Sequence, residues 1–163
     1  PPRAEPTAPT TPHEYRDAPP HAARGLAAHG ATPATGVTIM GFARPEWYIA
    51  NTAVMMTGAL PAGVYTTNTP NQCHYIADHA EAVVAIVENQ EYLERFLAVR
   101  DRLPRLQAIV LMEGEPPGEG VLSWAQLLEG GSVHFSSCQP RPRIHSPGAR
   151  VLAASAIRST ISP

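Results

Sequence analysis

Short apolar runs recurring at a regular interval constrain this chain more than any other feature. Val37–Phe42 (VTIMGF), Ala82–Val87 (AVVAIV) and Ala108–Met112 (AIVLM) are dense in aliphatic residues, and Leu60–Tyr65, interrupted by Pro61 and Gly63, is a weaker extended segment. The runs start about 22 to 26 residues apart. Runs that short suit parallel strands covered on both faces, and the interval leaves room for one helix in each crossover.

The crossovers carry the matching helix signals. Residues 21–30 (HAARGLAAHG) are alanine-rich, with Pro19 and Pro20 placed to open a short helix and Gly30 to stop it. Pro45-Glu46 opens a second helix that runs to about Gly58, apolar almost all the way round, which suits deep packing. Thr69-Pro70-Asn71-Gln72 fits a capping box, followed by a stripe of Cys73, Ile76, Ala77 and Ala80. A helix over Gln90–Leu103 puts Tyr92, Phe96, Val99 and Leu103 on one face, pairs Glu91 with Arg95, and ends at Pro104. Ser123–Glu129 is a last short helix, stopped by Gly130-Gly131. The alternation predicts an α/β fold: a doubly wound, mostly parallel sheet with helices on both faces and its ligand crevice beyond the carboxyl ends of the strands.

Proline divides the chain. Of 18 prolines, seven lie in the first twenty residues and four follow residue 139, so the ends are not built like the middle. Residues 1–12 (PPRAEPTAPTTP) lack any large apolar side chain and are expected to be a disordered Pro-rich segment. Residues 13–131 form the folded part. Residues 132–163 hold seven serines, four prolines, four arginines and no acidic residue, and are expected to be a disordered tail. A start at Pro1 rather than methionine is expected of a piece of a longer reading frame.

Charge and cysteine narrow the function classes. A net charge of −2 and a pI near 6.4 point to neither nucleic acid nor an acidic membrane surface. Cys73 in a helix and Cys138 in the tail make no disulfide framework, so a reducing compartment is expected. The N-terminus has no apolar run behind a basic start, hence no signal peptide is read there. All twelve basic residues are arginine, so chemistry that needs a lysine ammonium is closed to this polypeptide alone.

Candidate sites are few. A phosphate cradle needs glycines and usually a lysine; Gly118-Glu119-Gly120 offers glycines but sets a carboxylate between them. Trp47–Ala77 carries no Asp, Glu, Lys or Arg, yet Asn51, Thr52, Thr57, Gly58, Pro61 and Gly63 break it as a membrane span and favour a buried helix followed by a buried strand. His74 and His79 are five apart, wrong for a shared metal, and read as surface histidines beside a core Cys73. Trp47 and Tyr48 read as packing anchors before pocket walls, and the loop Val64–Thr69 as turn and capping chemistry before a ligand contact. Pro140-Arg141-Pro142-Arg143 is a weak electrostatic footprint on a solvated tail. No catalytic pair, triad or metal set emerges from the residues.

Residues 41–112 nevertheless carry words in order: GFARPEW, the turn AGVYTTNTP and the helix-to-strand step CHYIADHAEA. This stretch resembles the bubblegum family of long-chain acyl-CoA synthetases, within the adenylate-forming superfamily. Weaker similarity reaches back to Tyr15 and forward through SWAQLLEGG, about 115 of the 163 residues. The resemblance implies the N-terminal part of the AMP-binding domain of a fatty acid–CoA ligase. Its parent would use ATP, magnesium and coenzyme A to activate a long-chain fatty acid through an acyl-adenylate. It would be cytoplasmic and could associate peripherally with membranes, without a transmembrane span. The family's phosphate loop ending in Pro-Lys-Gly, its adenine and magnesium motifs and its catalytic lysine would all fall beyond residue 131, where this chain enters the Ser/Pro/Arg tail instead. No catalytic, cofactor-binding or metal residue is therefore carried over, the fragment is expected to be inactive and to need no cofactor, and the alternative reading is a small stand-alone ligand-binding module without catalysis.

Overall fold

The computed structural model describes residues 12–118 and 120–133. The Pro-rich segment and the tail lie outside the described residues, apart from Pro12, Ser132 and Val133 at helix ends. The chain runs α1 (Pro12–Ala28), β1 (Gly36–Met40), α2 (Pro45–Thr57), β2 (Leu60–Val64), α3 (Pro70–His79), β3 (Ala82–Val87), α4 (Gln90–Leu97), β4 (Ala108–Leu111), β5 (Val121–Ser123) and α5 (Trp124–Val133). All five strands are parallel, in the order β2-β1-β3-β4-β5. This is a doubly wound sheet that reverses its winding between β1 and β3.

Strand alternation splits the interior into two cores. Val37, Ile39, Val84, Ile86 and Val110 face α1, α2 and α5, where Leu26, Ile49, Ala53, Val54 and Leu127 complete one cluster. Met40, Ala85, Val87, Ile109 and Leu111 face α3 and α4, where Cys73, Ala77, Leu93 and Phe96 complete the other. The three strong runs are buried at every strand position, as strands covered on both faces must be.

β2 departs from that reading. It is an edge strand, half-exposed, and only Val64 is fully buried. Its sequence dictates the place. The Leu60 N–H donates to the Thr35 carbonyl, so Pro61 and Gly63, one residue out of phase, turn their backbone away from β1. A residue without an N–H is tolerated there and not inside the sheet.

Four further boundaries differ from the sequence reading. α1 begins at Pro12, so Pro19 and Pro20 lie inside it. An interior proline costs a helix about 3 kcal/mol, but Pro19, Ala22, Ala23 and Leu26 are all buried, and packing outweighs propensity. α4 stops at Leu97 and a 3-10 turn, Arg100–Arg102, carries the chain on. The predicted face survives, since Tyr92, Phe96, Val99 and Leu103 are all buried. β5, three residues long, was not predicted at all; it pairs parallel to β4 with no helix between them. α5 runs through Gly130 and Gly131 to Val133 instead of stopping. There glycine permits a close crossing: a Cβ on Gly131 would overlap the His21 carbonyl, and one on Gly25 the Leu127 carbonyl.

The other helix ends are as read. α2 stops at Gly58 in the left-handed conformation, φ 81°. α3 starts with a capping box in which Gln72 Oε1 accepts from the Thr69 N–H at 2.8 Å. α4 starts at Gln90 as read, and Asn89, which the sequence reading did not single out, caps it by accepting from the Tyr92 N–H at 3.1 Å.

Candidate functional site

In a doubly wound sheet the ligand crevice opens beyond the strand ends where the winding reverses. Here that point lies between the residues after β1 and those after β3, and a carboxylate fills it. Glu88 follows Val87 directly and is 6% exposed. Its Oε2 accepts from the Phe42 N–H at 2.6 Å, and its Oε1 lies 3.5 Å from the Arg44 guanidinium. Gly41 makes the approach feasible, since a Cβ there would stand 2.9 Å from Glu88 Cβ.

Arg44 gathers two more carboxylates: Nε donates to Glu46 at 2.8 Å, and an Nη to Glu113, just past β4, at 2.8 Å. Burial works against the charge, but the hydrogen bonds to Glu46 and Glu113 outweigh it and hold the guanidinium above its ordinary value. The cluster ties the loops after β1, β3 and β4 together, with three acidic groups around one cation.

The Glu88 arrangement predicts a graded effect. Removing a charged partner of a buried hydrogen bond costs about 1.5–3 kcal/mol, so Glu88→Ala should lose about 2 kcal/mol of unfolding free energy. Glu88→Gln keeps an oxygen for the Phe42 N–H and should lose clearly less. Urea unfolding of the two variants checks this, and equal losses would contradict it.

An open groove of about 400 Å³ lies one strand over, across the carboxyl ends of β1 and β2. Trp47, Tyr48, Val64, Tyr65 and Thr66 line it with Ile39, Gly41, Ala43 and Gly63, and none of these is charged. The fold thus brings together two features that the sequence reading placed in packing and turn roles. Trp47 does pack against the α1/α2 core, but it also walls the groove, edge-on to Tyr48 at 5.4 Å. Thr69 does cap α3, while Tyr65 and Thr66 of the same loop face the groove. The loop is held by Arg95, which donates to the Thr66 and Asn68 carbonyls at 2.7 and 2.8 Å besides pairing with Glu91.

The other candidates stay apart. Cys73 is fully buried against Met40, and burial pushes its thiol up. His74 contacts Arg102, and His79 stacks on Tyr75 at 6.0 Å. Gly118 and Gly120 precede β5 and so lie at the opposite end of a parallel sheet from the groove; Glu119 is outside the described residues. Among the described residues no group of three His, Cys, Asp or Glu is placed to hold a metal ion. Arg141 and Arg143 are outside the described residues. Arg44, Glu88 and Glu113 were missed as a group. The available signal was a carboxylate immediately after each of two buried runs, Glu88 after AVVAIV and Glu113 after AIVLM.

A sequence profile described as AMP-binding enzyme matches residues 9–147. The long-chain-fatty-acid–CoA ligase ACSBG2 of Xenopus laevis is 37% identical over 112 residues, covering 68% of this chain and 15% of that protein. ACSBG1 of Homo sapiens is 34% identical over 113 residues, 68% of this chain and 16% of its own length. The ligase heimdall of Drosophila melanogaster is 32% identical over 124 residues, 71% of this chain and 18% of its own. This chain therefore spans less than a fifth of these relatives. Among solved structures, the anthranilate CoA ligase AuaEII in complex with anthranoyl-AMP superposes with a TM-score of 0.66 at 27% identity, over 72% of this chain and 22% of that one.

Proposed function

The chain belongs to the AMP-binding enzyme family, and from that premise we propose that it is the N-terminal α/β portion of a bubblegum-type long-chain fatty acid–CoA ligase, supplying scaffold and no reacting group. The match over residues 9–147 carries this reading and favours it over a stand-alone binding module. In the proposed parent the fatty-acid carboxylate displaces pyrophosphate from ATP, and the thiol of coenzyme A then displaces AMP to leave the thioester. Residues 13–131 would form part of its N-terminal subdomain. Cytoplasmic residence and peripheral contact with membranes belong to the same proposal. Among the described residues no helix is long and apolar enough to cross a membrane.

The residues present do not fit ATP and magnesium. The point where this fold usually receives a phosphate group is occupied by Glu88, and Arg44 beside it is shared among three carboxylates. Displacement at a phosphorus depends on neutralising charge on its oxygens. The chain has no lysine, and its groove has no charged wall. The 163-residue chain, incubated with ATP, magnesium and palmitate, is expected to release no pyrophosphate above a protein-free blank in a coupled assay. Palmitate-dependent release would overturn the reading.

A further inference from the structure

β2 ends the sheet, and its outer backbone edge is open. Because the Leu60 N–H bonds toward β1, Leu60, Ala62 and Val64 turn their backbone groups inward, and Pro61, Gly63 and Tyr65 turn theirs outward. The Tyr65 carbonyl is already engaged, since it accepts from the Asn68 N–H at 3.0 Å. The outward edge therefore offers the Pro61 carbonyl, both groups of Gly63 and the Tyr65 N–H, set symmetrically about Gly63. An unpaired edge is a template for another strand, and proteins ordinarily guard it with charge, a bulge or proline. No charge guards this one, because Trp47–Ala77 contains no Asp, Glu, Lys or Arg. Pro61 guards it only against pairings that need its N–H. Gly63 has no local reason to be glycine: its φ is not left-handed, and a Cβ on it would meet nothing within 4 Å. Glycine inside a strand often marks the place where another backbone comes close. Tyr65 beside it is 79% exposed.

We propose that β2 pairs antiparallel with β2 of a second copy of this chain, about a two-fold axis through Gly63. In that register Gly63 faces its twin, and Pro61 faces Tyr65. The two Gly63 residues exchange both of their N–H···O=C bonds, as directly opposed residues of an antiparallel pair do. Each Tyr65 N–H donates to the facing Pro61 carbonyl. The return bond would run from the Pro61 nitrogen to the Tyr65 carbonyl, but the first has no hydrogen and the second is held by Asn68. The missing donor thus stands opposite the one carbonyl that does not need it, and every other outward group is satisfied. Sliding one strand by two residues would set Pro61 against Gly63 and leave the Gly63 carbonyl without a donor. Side chains complete the fit. Tyr65 and Gly63 share the groove side of the strand, so Tyr65 of one copy reaches the facing Pro61 and the open space over the facing Gly63. An edge that complements itself in this way selects a second copy as its occupant, since a two-fold contact uses the same surface on both partners.

Sedimentation of the 163-residue chain is expected to show monomer at low micromolar and dimer at high micromolar concentration, as suits a small interface. Over the same range the Gly63 and Tyr65 amides should gain protection from hydrogen exchange. Gly63→Lys sets two like charges opposite each other at the axis and should weaken the dimer roughly fivefold or more. Gly63→Glu should do the same. Mixed in equal amounts, the two variants should form a heterodimer tighter than either homodimer. That recovery separates pairing at the axis from damage to the fold, and the amide protection of the unaltered chain stands independently of both variants. A chain that stays monomeric across the range overturns the proposal, as does a dimer that Gly63→Lys leaves intact. Weakening in both variants without recovery in the mixture overturns it by removing the axis from Gly63. Growth beyond the dimer overturns it by showing open-ended association. Protection of Gly63 in the monomer at every concentration also overturns it, because the chain's own residues then cover this edge. None of these outcomes depends on the ligase reading.

Discussion

Phe96→Ala is expected to remove a large share of the stability of the folded region. Phe96 is fully buried in the core between α4 and the sheet, among Leu93, Ile109 and Leu111. Truncating a buried phenylalanine costs about 3–5 kcal/mol, part from lost transfer energy and part from the cavity left behind. A domain of this size has about 5–15 kcal/mol in total. Leu97→Ala, one position along and 36% exposed, removes a side chain that already meets water, and should cost well under half as much. Equilibrium urea unfolding of the two variants gives both numbers. Similar losses would mean that α4 is not seated on the sheet by the face containing Phe96.

That face was legible because its signal is local. α4 separates apolar from charged residues at helical spacing, and Tyr92, Phe96, Val99 and Leu103 are buried even though the α-helix ends at Leu97. The parallel sheet was legible for the same reason: a run such as AVVAIV has no polar side to turn outward. What escaped depends on contacts distant in sequence. β5 is three residues long and is a strand only because β4 lies beside it. α1 tolerates Pro19 and Pro20 because α2 and α5 bury its next turns. The site was the least legible part. Arg44, Glu88 and Glu113 stand 44 and 25 residues apart in sequence, and each alone is an ordinary surface residue type. Only the strand order places their loops side by side. The groove has the same character, since Trp47 and Tyr65 sit on different crossovers and meet at the ends of adjacent strands.

Gly130 and Gly131 should answer alanine with opposite signs. Both lie inside α5, where backbone freedom alone makes glycine worse than alanine by about 0.8–1 kcal/mol. A Cβ on Gly130 would meet nothing within 4 Å, so Gly130→Ala is expected to stabilise by up to that amount. A Cβ on Gly131 would overlap the carbonyl of His21 and stand 3.2 Å from the Gly25 nitrogen, both backbone atoms of α1. Neither can rotate away as a side chain end could, so the two helices must separate. Overpacking of this kind costs about 1–3 kcal/mol, more than the helix gains, and separation also loosens Leu26 and Leu127, which meet in the same core. Gly131→Ala should therefore lower the thermal midpoint while Gly130→Ala raises it. Two gains would show that α1 and α5 do not touch at their glycines, and that the run Gly130-Gly131 is no more than the helix stop suggested by its sequence.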